Sequence, residues 1–293
     1  MTSAAAPSGS WEQSWVNPLR TEIQSLSHSG ETHHLLVCDV DGWVYHADDT
    51  GQIQTQKHFP RLATAILSQN GSKYAVADKT GQIYLLSPDF TVRWQQSVEQ
   101  PILSLAMDPH GHFLAAADNN CGVHIWNAEG QLQSQITVTR PLVHMSFLQE
   151  VPLLVGNADF GLVLALDLNG QILWRDHPLV KMNSLSADAV GRNLLVACYS
   201  EGIHVYQATT GEKRPRLATR EPCLFVEQSV CGQRILTGSV KNTLHELNAE
   251  GQQVSEFVCG RTLRAMVLSA LGEYVIVALK GGQLKKLQRK AQP

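Results

Sequence analysis

The sequence predicts an all-β fold made of seven similar four-stranded sheets. Three observations support this: columns of turn residues recur at steps of 39 to 41 residues, short apolar segments alternate with polar residues between them, and no window keeps a helical period. The composition is that of a globular protein, since 43% of the 293 residues are hydrophobic and 17% are charged. Because the repeats span almost the whole chain, we expect one repeat domain rather than two ordinary domains of roughly 150 residues each.

The clearest column consists of short turns between two apolar segments. Its members end at Gly42, Gly81, Cys121, Gly161, Gly202, Asn242 and Gly282. Nine residues further on, five of the seven positions are again glycine, and a third column of glycines is broken only at Val151. Glycine adopts the positive φ that tight hairpin turns often require, so each column marks one turn in every repeat.

Each repeat carries signals for about four short strands. In the second repeat, for example, an apolar segment at 74–77 precedes the turn and another at 82–86 follows it. One such sheet cannot bury both of its faces, whereas stacking the sheets radially buries all of them. The expected architecture is therefore a seven-bladed β-propeller of four-stranded antiparallel blades. The predicted innermost strands are 23–27, 63–68, 102–107, 142–147, 182–186, 223–227 and 263–269.

The ring must close, and the two ends of the chain suggest how. The seventh repeat ends shortly after its third strand, so its fourth strand is missing. The segment 10–15 resembles a fourth strand with no first three before it, and we expect it to complete the last blade. A tryptophan seven residues before the start of a repeat occurs in three places, at Trp11–Pro18, Trp94–Pro101 and Trp174–Lys181. The predicted domain runs from 10 to 290, and residues 1–9 are expected to form a flexible tail.

The stretch 108–130, DPHGHFLAAADNNCGVHIWNAEG, resembles a repeat of the WD-repeat family. Trp126 and Asn127 occupy the position of that family's Trp-Asp pair. Its Asp-containing turn is matched by Asp39, Asp78 and Asp118, for which a structural role is expected. The likeness covers nearly the whole chain, although no repeat carries the family's Gly-His dipeptide. Residues 170–174 are also similar to blades of quinoprotein-type propellers, in blade shape and without implying a cofactor. Both resemblances imply a β-propeller, and neither implies a particular function.

Charge and hydropathy argue against several classes of partner. The net charge of −3, from 23 basic and 26 acidic residues, argues against nucleic acid. No apolar run approaches the roughly 18 residues of a membrane-spanning helix, so no membrane partner is expected. The first ten residues lack a basic segment followed by an apolar core, so no secretory signal is predicted. We expect a cytoplasmic protein that is monomeric by itself.

The six cysteines fit a cytoplasmic location. None forms a Cys-x-x-Cys pair, and a chain of this size builds a core without disulfides, so reduced thiols are expected. We interpret the cysteines as small buried apolar residues, with Cys231 and Cys259 more exposed because they lie near predicted turns.

No pattern predicts a catalytic residue, a metal ligand or a cofactor. Nucleophile-elbow, phosphate-loop and dinucleotide-binding motifs are absent, and the twelve histidines have no carboxylate spaced to complete a metal site. The predicted inner strands and their loops offer scattered polar residues, namely Glu22, Asp108, His144, Asp188 and Glu227. Because propeller active sites assemble from distant loops, an alternative stays open: a hydrolase or lactonase with a metal at the mouth of the channel.

The placement of charge favours a protein partner. In this topology the loops between repeats open on the same face as the turns between second and third strands. Late in the chain both sets are basic, and the predicted partner-binding residues are Arg220, Lys241, Arg261, Arg264 and Lys280. Arginine pairs bidentately with carboxylates, so the expected ligand is an acidic peptide or protein surface. The simpler interpretation is that these charges are solvated and pair with neighbouring acids. The expected function is a non-catalytic protein–protein interaction scaffold.

Overall fold

A computed structural model describes residues 11–290, which form a ring of seven antiparallel four-stranded sheets. These residues contain 28 strands and no helix. The prediction of an all-β, seven-bladed β-propeller is therefore confirmed. The tail expected at 1–9 lies outside the described residues.

We number the blades in chain order and call the strands of each blade a to d from the channel outwards. Blade 1 comprises β2 (Ile23–His28), β3 (Leu35–Asp39), β4 (Trp43–Ala47) and β5 (Ile53–His58). Blade 2 comprises β6 (Leu62–Leu67), β7 (Tyr74–Asp78), β8 (Gln82–Leu86) and β9 (Val92–Ser97). Blade 3 comprises β10 (Ile102–Met107), β11 (Phe113–Asp118), β12 (Gly122–Asn127) and β13 (Leu132–Thr137). Blade 4 comprises β14 (His144–Phe147), β15 (Leu153–Asn157), β16 (Val163–Asp167) and β17 (Ile172–Asp176).

The last three blades follow the same order. Blade 5 comprises β18 (Met182–Ala187), β19 (Leu194–Cys198), β20 (Gly202–Tyr206) and β21 (Lys213–Leu217). Blade 6 comprises β22 (Cys223–Gln228), β23 (Arg234–Ser239), β24 (Thr243–Asn248) and β25 (Gln253–Val258). Blade 7 comprises β26 (Leu263–Leu268), β27 (Tyr274–Leu279), β28 (Gln283–Arg289) and, as its outermost strand, β1 (Trp11–Pro18).

The innermost strands lie close to their predicted positions, and the largest difference is in blade 4. There the inner strand begins at His144 instead of residue 142. Leu142 is fully buried in the core between blades 3 and 4. Its carbonyl accepts a hydrogen bond of 2.9 Å from the Ser104 hydroxyl of blade 3. Leu142 thus binds the neighbouring blade instead of its own sheet.

The hydrophobic core lies between neighbouring blades rather than at the centre of the ring. Seven apolar clusters each join residues of two adjacent blades. Between blades 7 and 1, for example, Ile276 packs in one cluster with Leu35, and both are fully buried. Because each blade is covered on both faces by its neighbours, the centre is left as a channel lined by the inner strands.

Turn residues satisfy the backbone where strands b and c meet. Asp39, Asp78 and Asp118 each accept hydrogen bonds from two backbone N–H groups, at 2.7 to 3.1 Å. The last residue of the b–c turn is glycine in five blades. In the other two it is Cys121 or Asn242, which adopt φ of +68° and +63°. The aspartates therefore stabilise the turns that the repeat pattern identifies.

The N-terminal strand closes the ring as predicted. β1 pairs antiparallel with β28, with Trp11 opposite Arg289 and Pro18 opposite Gln283. Trp11 is 4% exposed, and its indole N–H donates to the Ser255 hydroxyl of blade 6 at 3.1 Å. The first and last parts of the chain thus share one sheet, which removes two open strand edges.

Trp15, rather than Trp11, is the equivalent of Trp94 and Trp174. Each of these three tryptophans donates its indole N–H to a backbone carbonyl in the c–d turn of the next blade. The acceptors are Asp49, Ala128 and Ala208, each 34 residues further along the chain. In the same turns Gly51, Gly130 and Gly211 leave room for the indole rings, because an added Cβ would lie 2.6 to 2.9 Å from an indole carbon.

The seven-residue spacing from Trp11 to Pro18 therefore identified the wrong tryptophan as the equivalent of Trp94 and Trp174. Seven residues after Trp15 lies Glu22, whose carbonyl accepts the Val40 N–H as the Pro101 carbonyl accepts the Asn119 N–H. The register of β1 also shifts at a bulge between Gln13 and Trp15. The prediction of closure was right, but the spacing argument used for Trp11 belongs to Trp15.

All six cysteines carry free thiols. Cys231 is exposed as expected, but the expectation of exposure for Cys259 was wrong, because its side chain is 2% exposed. Cys259 packs with Leu236 and Leu263 between blades 6 and 7, and this burial raises the pKa of its thiol to about 11.

Candidate functional site

The propeller presents two faces with different polypeptide segments. We call the bc face the one that carries the loops between consecutive blades and the turns between strands b and c. The opposite face, which carries the a–b and c–d turns, is the ab face. This division follows from the antiparallel pairing within each blade and confines the predicted partner-binding residues to one side of the ring.

The five basic residues predicted to bind a partner lie along the bc face of blades 5 to 7. All are exposed: Arg220, Lys241, Arg261, Arg264 and Lys280. Arg220 and Arg261 lie in loops between blades, Lys241 and Lys280 lie in b–c turns, and Arg264 lies near the start of an inner strand. The structure therefore places them on consecutive blades of one face, and their binding to a partner stays a prediction.

Three of these five side chains already have a partner within the chain. The Lys241 ammonium lies 3.1 Å from the Glu221 carboxylate, and the Arg264 guanidinium lies 3.9 Å from Glu22. The Arg261 guanidinium donates to the Lys280 carbonyl at 3.4 Å. Within residues 11–290, neither Arg220 nor Lys280 makes a side-chain ion pair. The simpler interpretation of self-paired charges thus describes Lys241 and Arg264, because such exposed pairs are common and weak.

A second region of the bc face exposes apolar side chains. Phe160 in the b–c turn of blade 4 is 40% exposed, Leu179 in the next loop is 84% exposed, and Tyr199 in the b–c turn of blade 5 is 43% exposed. Their backbones are joined at Lys181, which pairs with Phe160 and accepts the Tyr199 N–H at 2.9 Å. The three side chains therefore project from adjacent segments of one surface.

Two basic residues flank these apolar side chains. The Arg140 guanidinium lies 5.8 Å from the centre of the Phe160 ring, a distance typical of a cation–π contact. Lys181 is exposed and, within the described residues, makes no ion pair. One acidic residue, Asp159, lies in the same turn as Phe160. We call Arg140, Phe160, Leu179, Lys181 and Tyr199 the blade 4–5 patch.

The blade 4–5 patch was not predicted from the sequence. A signal was present, because the b–c turns of blades 4 and 5 read ADFG and YSEG and carry an aromatic residue where the other five do not. Whether such a residue is buried or exposed depends on the neighbouring loop, so the sequence alone did not distinguish the two.

Two histidines of the c strands, His124 and His204, are held by acidic residues near the b–c turns. The His124 imidazole lies 2.9 Å from the Asp118 carboxylate, and His204 lies 2.9 Å from Glu201. Burial opposes ionisation of Asp118, but hydrogen bonds from His124 and from the turn backbone outweigh it and lower its pKa. No group of three histidine, cysteine or acidic residues within 11–290 is placed to hold a metal ion.

The channel contains a cavity of about 290 Å³ at its ab end. Glu227, Asp188 and His28 are the titratable residues of its wall, and no lysine or arginine occurs among the described lining residues. The Asp188 carboxylate accepts the backbone N–H groups of Arg192 and Asn193, so it is committed to its own turn. Burial, and then the neighbouring His33 and Lys286, lower the pKa of His28 to about 4.

Glu227 differs from the other acids in the protein because its environment disfavours ionisation. Burial raises the pKa of its carboxyl group to about 8, opposed only by a hydrogen bond from Ser186. The Ser186 hydroxyl lies 3.3 Å from the Glu227 carboxylate. Glu227 was one of several scattered polar residues in the sequence, and the structure alone distinguishes it.

Glu22, Asp108 and His144 are not among the residues that line the cavity with Glu227. Glu22 lies on the bc side, where its carboxylate accepts the Gly281 N–H at 2.8 Å. Asp108 accepts the Phe113 N–H of its own turn. Burial lowers the pKa of His144 on β14.

No protein-family model matches the chain, and a search of curated proteins finds no match either. The seven four-stranded blades fit the resemblance to WD-repeat propellers. Within the part of the chain that the structure describes, no helix is long and apolar enough to cross a membrane.

Proposed function

We propose that the protein is a degenerate WD-repeat scaffold that binds a partner protein through the blade 4–5 patch and performs no catalysis. The observation that supports this most strongly is the exposure of Phe160, Leu179 and Tyr199 on chain segments that meet at Lys181 on one face. Single exposed apolar residues are ordinary, but several on adjoining segments flanked by basic residues are typical of a binding surface.

The chemistry of the patch favours an acidic segment that also carries an apolar side chain. The apolar side chain would be desolvated against the three exposed residues, which supplies most of the affinity. Carboxylates of the same segment would pair with Arg140 and Lys181. Of the two acids in the adjoining b–c turns, Glu201 is already paired with His204 and Arg216, so Asp159 is left to compete for these cations. Such pairs mainly accelerate association and select the partner.

The late basic arc would extend this surface rather than form its centre. Arg220 follows Tyr199 around the bc face, so it would contact carboxylates at the edge of the bound segment. Lys241 and Arg264 would first have to leave Glu221 and Glu22, which reduces their net contribution. We therefore place the strongest contacts at blades 4 and 5, in a cytoplasmic and monomeric protein.

The test is affinity purification with a pair of matched variants. The double variant Arg140→Glu/Lys181→Glu reverses the charge of the patch. The control Arg93→Glu/Arg175→Glu reverses two exposed charges on the outermost strands of blades 2 and 4. We expect an acidic partner to be recovered with the wild type and the control but lost from the patch variant. Recovery of the same proteins by all three would contradict the proposal.

The catalytic alternative, a hydrolase or lactonase, would place its metal in the cavity beside Glu227 and Asp188. Elemental analysis of the purified protein distinguishes the two functions. A stoichiometric divalent ion that is lost in Glu227→Gln would favour the enzyme. Without such an ion the scaffold is favoured, since the Asp188 carboxylate is already occupied by its turn.

A further inference from the structure

The cavity at the ab end of the channel holds a carboxylate that no opposite charge compensates. Among residues 11–290, Ser186 is the one side chain that hydrogen-bonds to Glu227. His28 in the same wall is neutral at physiological pH because its pKa is lowered to about 4. Glu227 is partly exposed in the wall of the cavity, and an acid with no cation opposite it in such a wall is suited to a cationic ligand.

A second acceptor in the same wall also lacks a donor. Gln228 is 7% exposed, and its amide nitrogen donates to the carbonyls of Ser186 and Asn193. These two bonds fix the side chain, while the amide oxygen Oε1 is buried without a hydrogen-bond partner. Gln228 Oε1 therefore lacks the hydrogen-bond donor that a buried acceptor requires.

The wall is mainly polar, and its smaller apolar part would contact a short alkyl chain. Met107, Met145 and Leu185 line the cavity together with the polar groups. The volume of about 290 Å³ lies at the small end of ligand sites. Methionine side chains adapt readily to the shape of a bound group.

We infer that this cavity binds a primary alkylammonium group, whose N–H donors bond to Glu227 while its alkyl chain contacts Met107, Met145 and Leu185. An ammonium carries three N–H donors and no acceptor, which matches a wall offering acceptors and a negative charge. The site lies on the opposite face from the blade 4–5 patch, so it is a second binding function. The same chemistry is presented by a free amine and by the lysine side chain of a protein.

Binding of an ammonium must be linked to a proton. The pKa of Glu227 is raised to about 8, so its carboxyl group is mostly protonated at neutral pH. The ligand binds the ionised form, and one proton leaves the carboxyl group as the ammonium enters. Affinity should therefore rise about tenfold for each pH unit below that pKa, and should level off above it.

The experiment is isothermal titration of the full chain with three probes between pH 6 and pH 8. The probes are n-butylammonium, the neutral isostere n-butanol, and a lysine residue capped at both ends. Ligands this small bind in the millimolar range at best, so concentrated titrants are needed. We expect n-butanol not to bind, and an ammonium probe to bind more tightly at pH 8, releasing protons at pH 7 in buffers of different ionisation enthalpy.

Two variants assign the binding to the cavity. Glu227→Gln should weaken ammonium binding at least tenfold, whereas the exposed Glu150→Gln on the ab face should leave it unchanged. Binding of n-butylammonium alone identifies a free amine as the ligand, and binding of capped lysine alone identifies a protein lysine. Three results would overturn the inference: neither ammonium probe binds, n-butanol binds as tightly as n-butylammonium, or the affinity for ammonium does not change with pH.

Discussion

Acidic residues at the rim of the propeller, where strands b and c meet, and in its channel have pKa values shifted in opposite directions. At the rim, Asp118 accepts hydrogen bonds from two backbone N–H groups and from His124, and its pKa is lowered. In the channel, Glu227 has a hydrogen bond from Ser186 alone, and its pKa is raised to about 8. Both acids lie at ends of strands in the same kind of repeat.

This difference separates residues that serve the fold from residues that do not. A carboxylate that caps a turn stabilises the folded state when it ionises, since every hydrogen bond to it favours the charge. A carboxylate in the channel opposes folding when it ionises, because burial removes water without supplying a counter-ion. The negative charge of Glu227 therefore does not stabilise the folded state, which is consistent with a ligand-binding role.

The largest expected effect on stability comes from removing β1, the strand that closes the ring. Deletion of residues 1–18 removes β1 and exposes the edge of β28 and the core around Trp11. Burial of a tryptophan side chain of 150–250 Å² contributes about 4–6 kcal/mol alone, so we expect a large decrease in melting temperature. Thermal unfolding followed by circular dichroism measures it.

The matched control is deletion of residues 1–9, which keeps Trp11 and the whole of β1. This shorter deletion should leave the melting temperature unchanged. Equal melting temperatures for the wild type and the longer deletion would contradict closure by the N-terminal strand.

An intermediate and opposite effect is expected from Glu227→Gln in the channel. Because the folded-state pKa of Glu227 is raised above its ordinary value of 4.5, the carboxyl group opposes folding as the pH rises from there to about 8. The amide removes this penalty, so the variant should be more stable by about 2–4 kcal/mol at pH 8.5. Urea unfolding at pH 8.5 and pH 4 measures the gain, which should vanish at the lower pH. A loss of stability at pH 8.5 would show that the carboxylate is compensated.

The smallest effect is expected from the same kind of exchange at the rim. Asp118→Asn keeps an acceptor for the turn but loses the negative charge on which its bonds to His124 and the backbone depend. We expect a loss of about 1–2 kcal/mol at pH 7. Because the folded-state pKa is lowered, the stabilisation by Asp118 is present above its ordinary value of 3.8 and is lost as the pH falls further.

The control for this exchange is Asp41→Asn at an exposed residue in the b–c turn of blade 1, which should change stability little. Urea unfolding at pH 7 compares the two variants. If Asp118→Asn were as neutral as the control, or stabilising like Glu227→Gln, the distinction between rim and channel would fail.

Much of the fold was predictable because its determinants are local. Glycines and capping aspartates act within a single turn. The recurrence of these turn residues along the sequence predicted the seven blades that the structure contains. The missing strand of the seventh repeat likewise predicted closure. The equivalence of Trp15 with Trp94 was present in the spacing too, because each lies 27 residues before the end of a b–c turn, at Gly42 and Cys121, but the alignment on Pro18 selected Trp11 instead.

The sequence by itself thus determined the number of blades, their turns and the closure of the ring, since each depends on residues a few positions apart. The tertiary structure alone decided which side chains are available for binding. Three features depend on distances between strands and loops far apart in the chain. These are the pairing of Lys241 with Glu221, the placement of Phe160 and Tyr199 on adjoining segments, and the absence of a cation among the described residues that line the cavity with Glu227. Those distances are fixed only when the seven blades pack against one another.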